Sequence, residues 1–359
     1  RHDFEMENKW YRIAPFVRGG YWRNFKVKYP ETNEMYSRMQ MVSHRIHNSV
    51  ASTDTLDAAR RELYRGQCNC GYWHGAFGGA YLPHLRNAIH NHLIAADNLL
   101  DEAANRGLGD MATPWVEAVA EDYDFDARQE IRLASNRLVA LLAPSAGGML
   151  YELDVRSICL NVLATLARRH EGYHHKVLAG SSNNGDAVTS IHDLLVFKQE
   201  GLDQRIRYDT HSRKSLLDHF FETEITGAAV AAGGASELGD FIRTPYEAKI
   251  LRRSDRVQIQ LARQGEVGGH PVRLTKCVAL SAGQALLEIE YRLEGLTENV
   301  PLHFAIELNF AGMPAGQDDR YFQDTAGNHL GQLGTHLDLQ DVQSLNLMDQ
   351  WQGLAIGLT

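Results

Sequence analysis

The hydrophobic period of this chain changes once, near residue 115, and that change restricts it to folds in which a helical segment is followed by antiparallel sheet. Upstream, Met35, Met39, Val42 and Ile46 recur every three or four residues, one stripe of an amphipathic helix entered after Pro30, with Thr32 or Asn33 as its cap. Leu56, Ala59 and Leu63 continue the period beyond a polar break at Ser52–Thr55. Leu82, Leu85, Ile89, Leu93, Ala96 and Leu100 make the longest stripe, with Gly107 and Gly109 expected to end it. Downstream the period is two. Tyr151, Leu153 and Val155 alternate with Glu152 and Asp154, and Val257, Ile259 and Leu261 with Gln258 and Gln260. Leu287 to Leu293 and Phe304 to Phe310 repeat the pattern, as half-buried strands do. The fold expected is α+β, a helical segment followed by a large antiparallel β-sandwich. Residues 191–221 read as a long connection.

Length and charge narrow the partners. With 359 residues the chain has room for two or three domains and a sizeable core. Its formal charge of −9 disfavours a broad electrostatic grip on nucleic acid or anionic lipid. No apolar run nears the ~20 residues of a membrane span, and no basic-then-apolar signal opens the chain. Neither nucleic acid nor membrane is therefore expected as a partner. Four cysteines, Cys68, Cys70, Cys159 and Cys277, form no paired CxxC motif, and reduced thiols in a cytoplasm are the expected state. Residue 1 is Arg, and a piece of a longer protein is expected, truncated at its C-terminus as well.

Residues 67–79 concentrate the chemistry. Gln67, Cys68, Asn69, Cys70, Tyr72, Trp73 and His74 stand within eight positions, ahead of the longest helix. Cys68, Cys70 and His74 supply three metal ligands, but without the usual thiol spacing or a clear fourth. A Cys with a His four residues on is a nucleophile pair lacking an orienting partner. Tyr72 or Trp73 against a sugar face, with Gln67, Asn69 and His74 on its hydroxyls, is a carbohydrate contact. A glycine-rich turn whose aromatics anchor the next helix is the structural alternative. Among the 17 histidines, the sets His170/His174/His175 and His84/His90/His92 read as surface or packing groups. Glu152/Asp154 and Glu288/Glu290 read as solvated strand faces.

The string QCNCGYWHGAFGGAYLPHLR resembles a signature of glycoside hydrolase family 57, in its α-amylase and 4-α-glucanotransferase branch. GGYWRNFKVKYPETNEMYSRM upstream, and APSAGGMLYELDV, TLARRHEGYH, SIHD and GDFIRTPYE downstream, extend the resemblance over nearly the whole chain from residue 18. It implies three parts: residues 1–30 leading out of an N-terminal (β/α)7 barrel, a helical domain over 31–115 carrying the cleft motif, and a galactose-mutarotase-like sandwich over 120–359. It implies an α-1,4-glucan or maltooligosaccharide as substrate; no cofactor or metal is nominated. Gln67, Asn69, Tyr72, Trp73 and His74 would line the cleft. Cys70 stands where many members carry Asp, and is read as a small neutral packing residue. The mechanism implied is retaining, with a Glu nucleophile and an Asp acid/base about 5–5.5 Å apart on the barrel. No catalytic residue is therefore nominated here, and the chain alone is expected to be inactive. His303 and Glu307, on one strand face, resemble the acid/base pair of a mutarotase. A non-catalytic carbohydrate-binding or structural module is the competing reading.

Overall fold

The computed structural model describes residues 22–74, 78–106, 114–180 and 201–359. Gly107, Gly109 and the SIHD segment lie outside them. The chain divides into two compact units, one of residues 1–28 and 166–213, the other of residues 29–165 and 214–359.

The smaller unit contains helix α1 (Trp22–Lys28) and two short helices, His174–Gly180 and Leu202–Arg205. Asp209 accepts hydrogen bonds from Arg168 and Arg213, whose guanidinium groups close on it at 2.6–2.7 Å. Lys28 reaches Glu171 at 2.5 Å. His174 stacks on Tyr208, with ring centroids 5.7 Å apart.

The larger unit begins with three helices, α2 (Pro30–Asn48), α3 (Thr53–Gly66) and α4 (Pro83–Arg106). Proline in the first turn presets the φ of α2, and neither Thr32 nor Asn33 caps it: the helix starts earlier, at Tyr29, with no side-chain cap. The cap of α3 is Ser52, whose hydroxyl accepts the Thr55 N–H. Met35, Val42, Ile46, Ala59, Leu63, Ile89, Leu93, Ala96 and Leu100 close a core between these helices, as their spacing predicts.

Five antiparallel strands follow: β1 (Val116–Glu121), β2 (Glu130–Ser135), β3 (Leu138–Ala143), β4 (Met149–Val155) and β5 (Leu160–Asn161). The expected connection over 191–221 instead ends in β6 (Leu217–Phe221), all five residues of which are buried. β7 (Glu247–Arg252), β8 (Arg256–Val267), β9 (His270–Ser281) and β10 (Leu287–Glu294) form a second antiparallel sheet in the order 10-9-8-7. β11 (His303–Glu307) pairs with β6. A last sheet, in the order 13-12-14-15, comprises β12 (Arg320–Gln323), β13 (His329–Gln332), β14 (Leu345–Asp349) and β15 (Leu354–Leu358). One apolar core draws Ile131, Leu133, Ala140 and Leu142 from the first sheet and Ile259, Leu261, Leu274 and Val278 from the second.

β4 overturns one expectation. Glu152 and Asp154 are 2% and 0% exposed, while Leu153 and Val155 face the apolar core. Both faces of this strand are covered, so its polar face meets helices instead of water. Arg38 of α2 donates through Nε to Glu152 at 2.7 Å, and through Nη2 to Asp154 at 3.2 Å and Asp97 of α4 at 3.0 Å. Asp101, one turn beyond Asp97, accepts from Arg132 at 2.9 Å and Arg156 at 2.8 Å, and Arg45 bonds both aspartates. The helices are thus tied to the first sheet by buried ions as well as by the apolar contact of Met41 with Tyr123, Leu141 and Tyr151. Glu288 and Glu290 are exposed, as expected.

Candidate functional site

The 67–74 segment leaves α3 and turns back toward the start of α4. Gln67 and Cys68 donate their N–H groups to the last carbonyls of α3, those of Tyr64 and Arg65. A 3-10 turn over Asn69–Gly71 then lays the backbone on α4. A Cβ on Gly71 would stand 2.4 Å from Ile89 Cδ1 and 3.2 Å from the Leu85 carbonyl oxygen, so a larger residue here would have to displace the Ile89 side chain. Farther on, Ala80 N–H donates to the Trp73 carbonyl at 2.7 Å. Gly79 closes that contact at φ +50°, where a Cβ would fall 1.9 Å from the same carbonyl oxygen. The backbone of Trp73 is held while its indole stays 50% exposed.

The five nominated residues do not share one environment. Gln67, Asn69 and Trp73 are exposed. Gln67 Nε2 contacts Met39 Sδ at 3.6 Å, and Cys70 Sγ contacts Asn69 Oδ1 at 3.6 Å. Tyr72 is 6% exposed, sits in the helical core, and donates its hydroxyl to the Gly66 carbonyl at 2.7 Å. It anchors the loop and offers no ring face at the surface, because its neighbour Gly71 has pressed the chain onto α4. His74 is half-buried, edge-on to Tyr81 at 4.7 Å and Tyr29 at 6.1 Å. Tyr29, 45 positions upstream of His74, and Tyr81, seven positions downstream, are not among the nominated site residues.

The thiols differ from expectation. Cys68 and Cys70 are free and exposed, so Cys70 is not a packing residue: the 3-10 turn that buries Gly71 and Tyr72 leaves Cys70 at the surface. Among the described residues, Cys68, Cys70 and His74 do not converge as a metal-binding trio. His90 is buried beside Asn161 and its pKa is pushed down to about 4 by burial, whereas His92 meets Glu62 at 2.7 Å. Glu307 is engaged by His219 of β6 rather than by the expected His303 of its own strand. The Nδ1 of His219 lies 2.8 Å from Glu237 and its Nε2 2.9 Å from Glu307. Both ring nitrogens thus lie within hydrogen-bond reach of a carboxylate.

A cavity of about 130 Å³ lies beneath α2, lined by Glu34, Arg38, Tyr123, Glu130, Tyr151 and Glu152 among others. Burial pushes Glu130 up to about 7, against the pull of the Tyr123 N–H. Burial likewise raises Glu34 to about 7, although Lys214 stands 2.5 Å away. Burial works against Glu152 too, but Arg38 outweighs it and holds the carboxyl down. Asp154 is driven up by burial and by the Glu152 charge. The signal for this network was present in the sequence. Arg38/Arg45, Asp97/Asp101 and Glu152/Asp154 are spaced seven, four and two apart, and each pair therefore shares one face of its element.

Comparison with known proteins decides the relationship. Residues 122–359 match the family described as "Alpha-amylase/4-alpha-glucanotransferase, C-terminal", and residues 20–100 match its "middle domain". The chain belongs to glycoside hydrolase family 57, α-amylase/4-α-glucanotransferase branch. Among family members, a 4-alpha-glucanotransferase of Thermococcus kodakarensis is 35% identical over 86% of this chain and 43% of its own length. An alpha-amylase of Pyrococcus furiosus is 36% identical over 84% of the chain and 40% of its own. The crystal structure of the 4-alpha-glucanotransferase from Thermococcus litoralis superposes with a TM-score of 0.67 at 30% identity, covering 89% of this chain and 43% of that one. The chain thus spans less than half the length of these relatives.

Proposed function

We propose that this chain is the middle and C-terminal part of an α-1,4-glucan-acting enzyme, a retaining 4-α-glucanotransferase or α-amylase. In this reading its loop 67–74 completes a glucan cleft beside a (β/α)7 barrel contributed by the rest of the protein. The observation that carries it is Trp73. An indole half out of solvent, on a backbone locked by Gly79 and Ala80, offers a rigid apolar face to the CH side of a glucose ring. Gln67, Asn69 and His74 hydrogen-bond the hydroxyls. Tyr72 supports them from the core. The sheets of the larger unit, sharing one core, are read as a mutarotase-like sandwich that braces this loop. A cytoplasmic setting, in keeping with four free thiols, belongs to the same proposal.

The chemistry itself belongs to carboxylates outside this chain. Glu152 and Asp154 are buried acids two positions apart on one strand, but both are bonded to Arg38 under α2. The test is Trp73→Ala in the full-length enzyme acting on maltooligosaccharides. A loss of roughly ten-fold or more in kcat/KM is expected, with the melting temperature nearly unchanged. Unchanged kinetics would remove Trp73 from the cleft.

A further inference from the structure

The most exposed tryptophan among the described residues is Trp351, 79% open to solvent in the turn between β14 and β15. Exposed apolar side chains are ordinary; a held one is not. Both chain neighbours of Trp351 are tied down. Gln350 donates its N–H to the Asp319 carbonyl at 3.0 Å and its side-chain amide to the Tyr321 hydroxyl at 3.0 Å. Gln352 donates its N–H and its amide to Asp349, at 3.0 and 2.7 Å, and the amide also reaches the Gly312 carbonyl at 3.0 Å.

Beneath the indole lies Arg320, its guanidinium carbon 5.8 Å from the ring centroid. That guanidinium is itself fixed, by Asp349 at 3.3 Å and Asp319 at 2.5 Å. A cation on one side of the ring and a pinned turn on either side reduce the entropy lost when the free side is covered.

The surroundings indicate what covers it. A protein partner would be met by a contiguous apolar patch, whereas the residues flanking Trp351 are Asp349, Gln350, Gln352 and Gly353. One exposed aromatic face on a polar turn suits a pyranose: apolar on its CH face, hydroxylated at its edge.

We propose that Trp351 is the platform of a second glucan-binding site on the β12–β15 sheet, separate from the 67–74 loop, that holds long α-glucan chains. The proposal rests on the glucan reading above, and its test separates the two. In the full-length enzyme, Trp351→Ala should weaken retardation in a native gel containing soluble starch by roughly three- to ten-fold, while kcat/KM on maltotriose stays at the wild-type level. Trp351→Phe should keep most of the retardation. Unchanged retardation in Trp351→Ala, or a shift in its oligomeric state on size exclusion, would overturn the second site. A wild-type enzyme that neither binds starch nor responds to Trp73→Ala would overturn the glucan reading itself, and this site with it.

Discussion

Arg38 on α2 donates its Nε to Glu152 on β4 at 2.7 Å, across 114 positions of sequence and out of contact with water. Charges removed from solvent are tolerated only when paired, so this bond fixes the angle at which the helices meet the first sheet. The loop that carries Trp73 hangs on those helices.

Replacing Arg38 by Met should therefore cost about 3–5 kcal/mol in urea denaturation, because Glu152 and Asp154 would be left buried without their cation. Adding Glu152→Gln and Asp154→Asn to the same protein should restore a good part of the loss. A single variant within about 1 kcal/mol of wild type would show that the network does not hold the helices to the sheet.

Tyr72 and Trp73 are neighbours with opposite expected phenotypes. Tyr72→Phe removes the hydroxyl bond to Gly66 and should lower stability by about 1 kcal/mol, leaving kcat/KM of the full-length enzyme within two-fold. Trp73→Ala should do the reverse. Measured melting curves and kinetics that exchanged these effects would mean that the core and surface assignments are inverted.

His219 supplies a pH dependence. Burial pulls its pKa down, but hydrogen bonds to Glu237 and Glu307 outweigh that and raise it from 6.5 to about 9. A group whose pKa is higher in the folded than in the unfolded chain stabilises fully below about 6.5, and that contribution is lost as pH rises through about 9. The interval corresponds to at most about 3 kcal/mol. Urea midpoints should fall between pH 6.5 and 9 in the wild type and fall less in His219→Gln. An equal slope in both proteins would assign the dependence to another group.

The thiols make a simpler test. Cys68 and Cys70 are exposed, whereas burial raises the pKa of Cys159 and Cys277. Brief alkylation of the native protein should label two cysteines by mass spectrometry, and the double Ser variant of those two should keep most of the activity of the full-length enzyme. Slow labelling of Cys70 would return it to the packing role first expected of it.

Much of the fold was legible before any coordinates. The stripes through Met35, Leu63 and Ile89, and the alternation through Ile259 and Leu261, record burial on a single apolar face, and periodicity reports that directly. The candidate loop was legible too, because glycines and aromatics crowd into one short segment. Tyr72 and Cys70 were misplaced within it, since composition does not say which way a 3-10 turn points each side chain.

By itself, then, the sequence determined the helical and sheet segments, the apolar cores and the position of the loop, all set by local spacing. Only the tertiary structure decided that Glu152 and Asp154 are buried, that His219 and not His303 meets Glu307, and that Trp351 is held while exposed. Each of these depends on which distant element covers a polar face. Alternation marks the two faces of a strand, but it cannot show whether water or an arginine from another helix lies against the polar one.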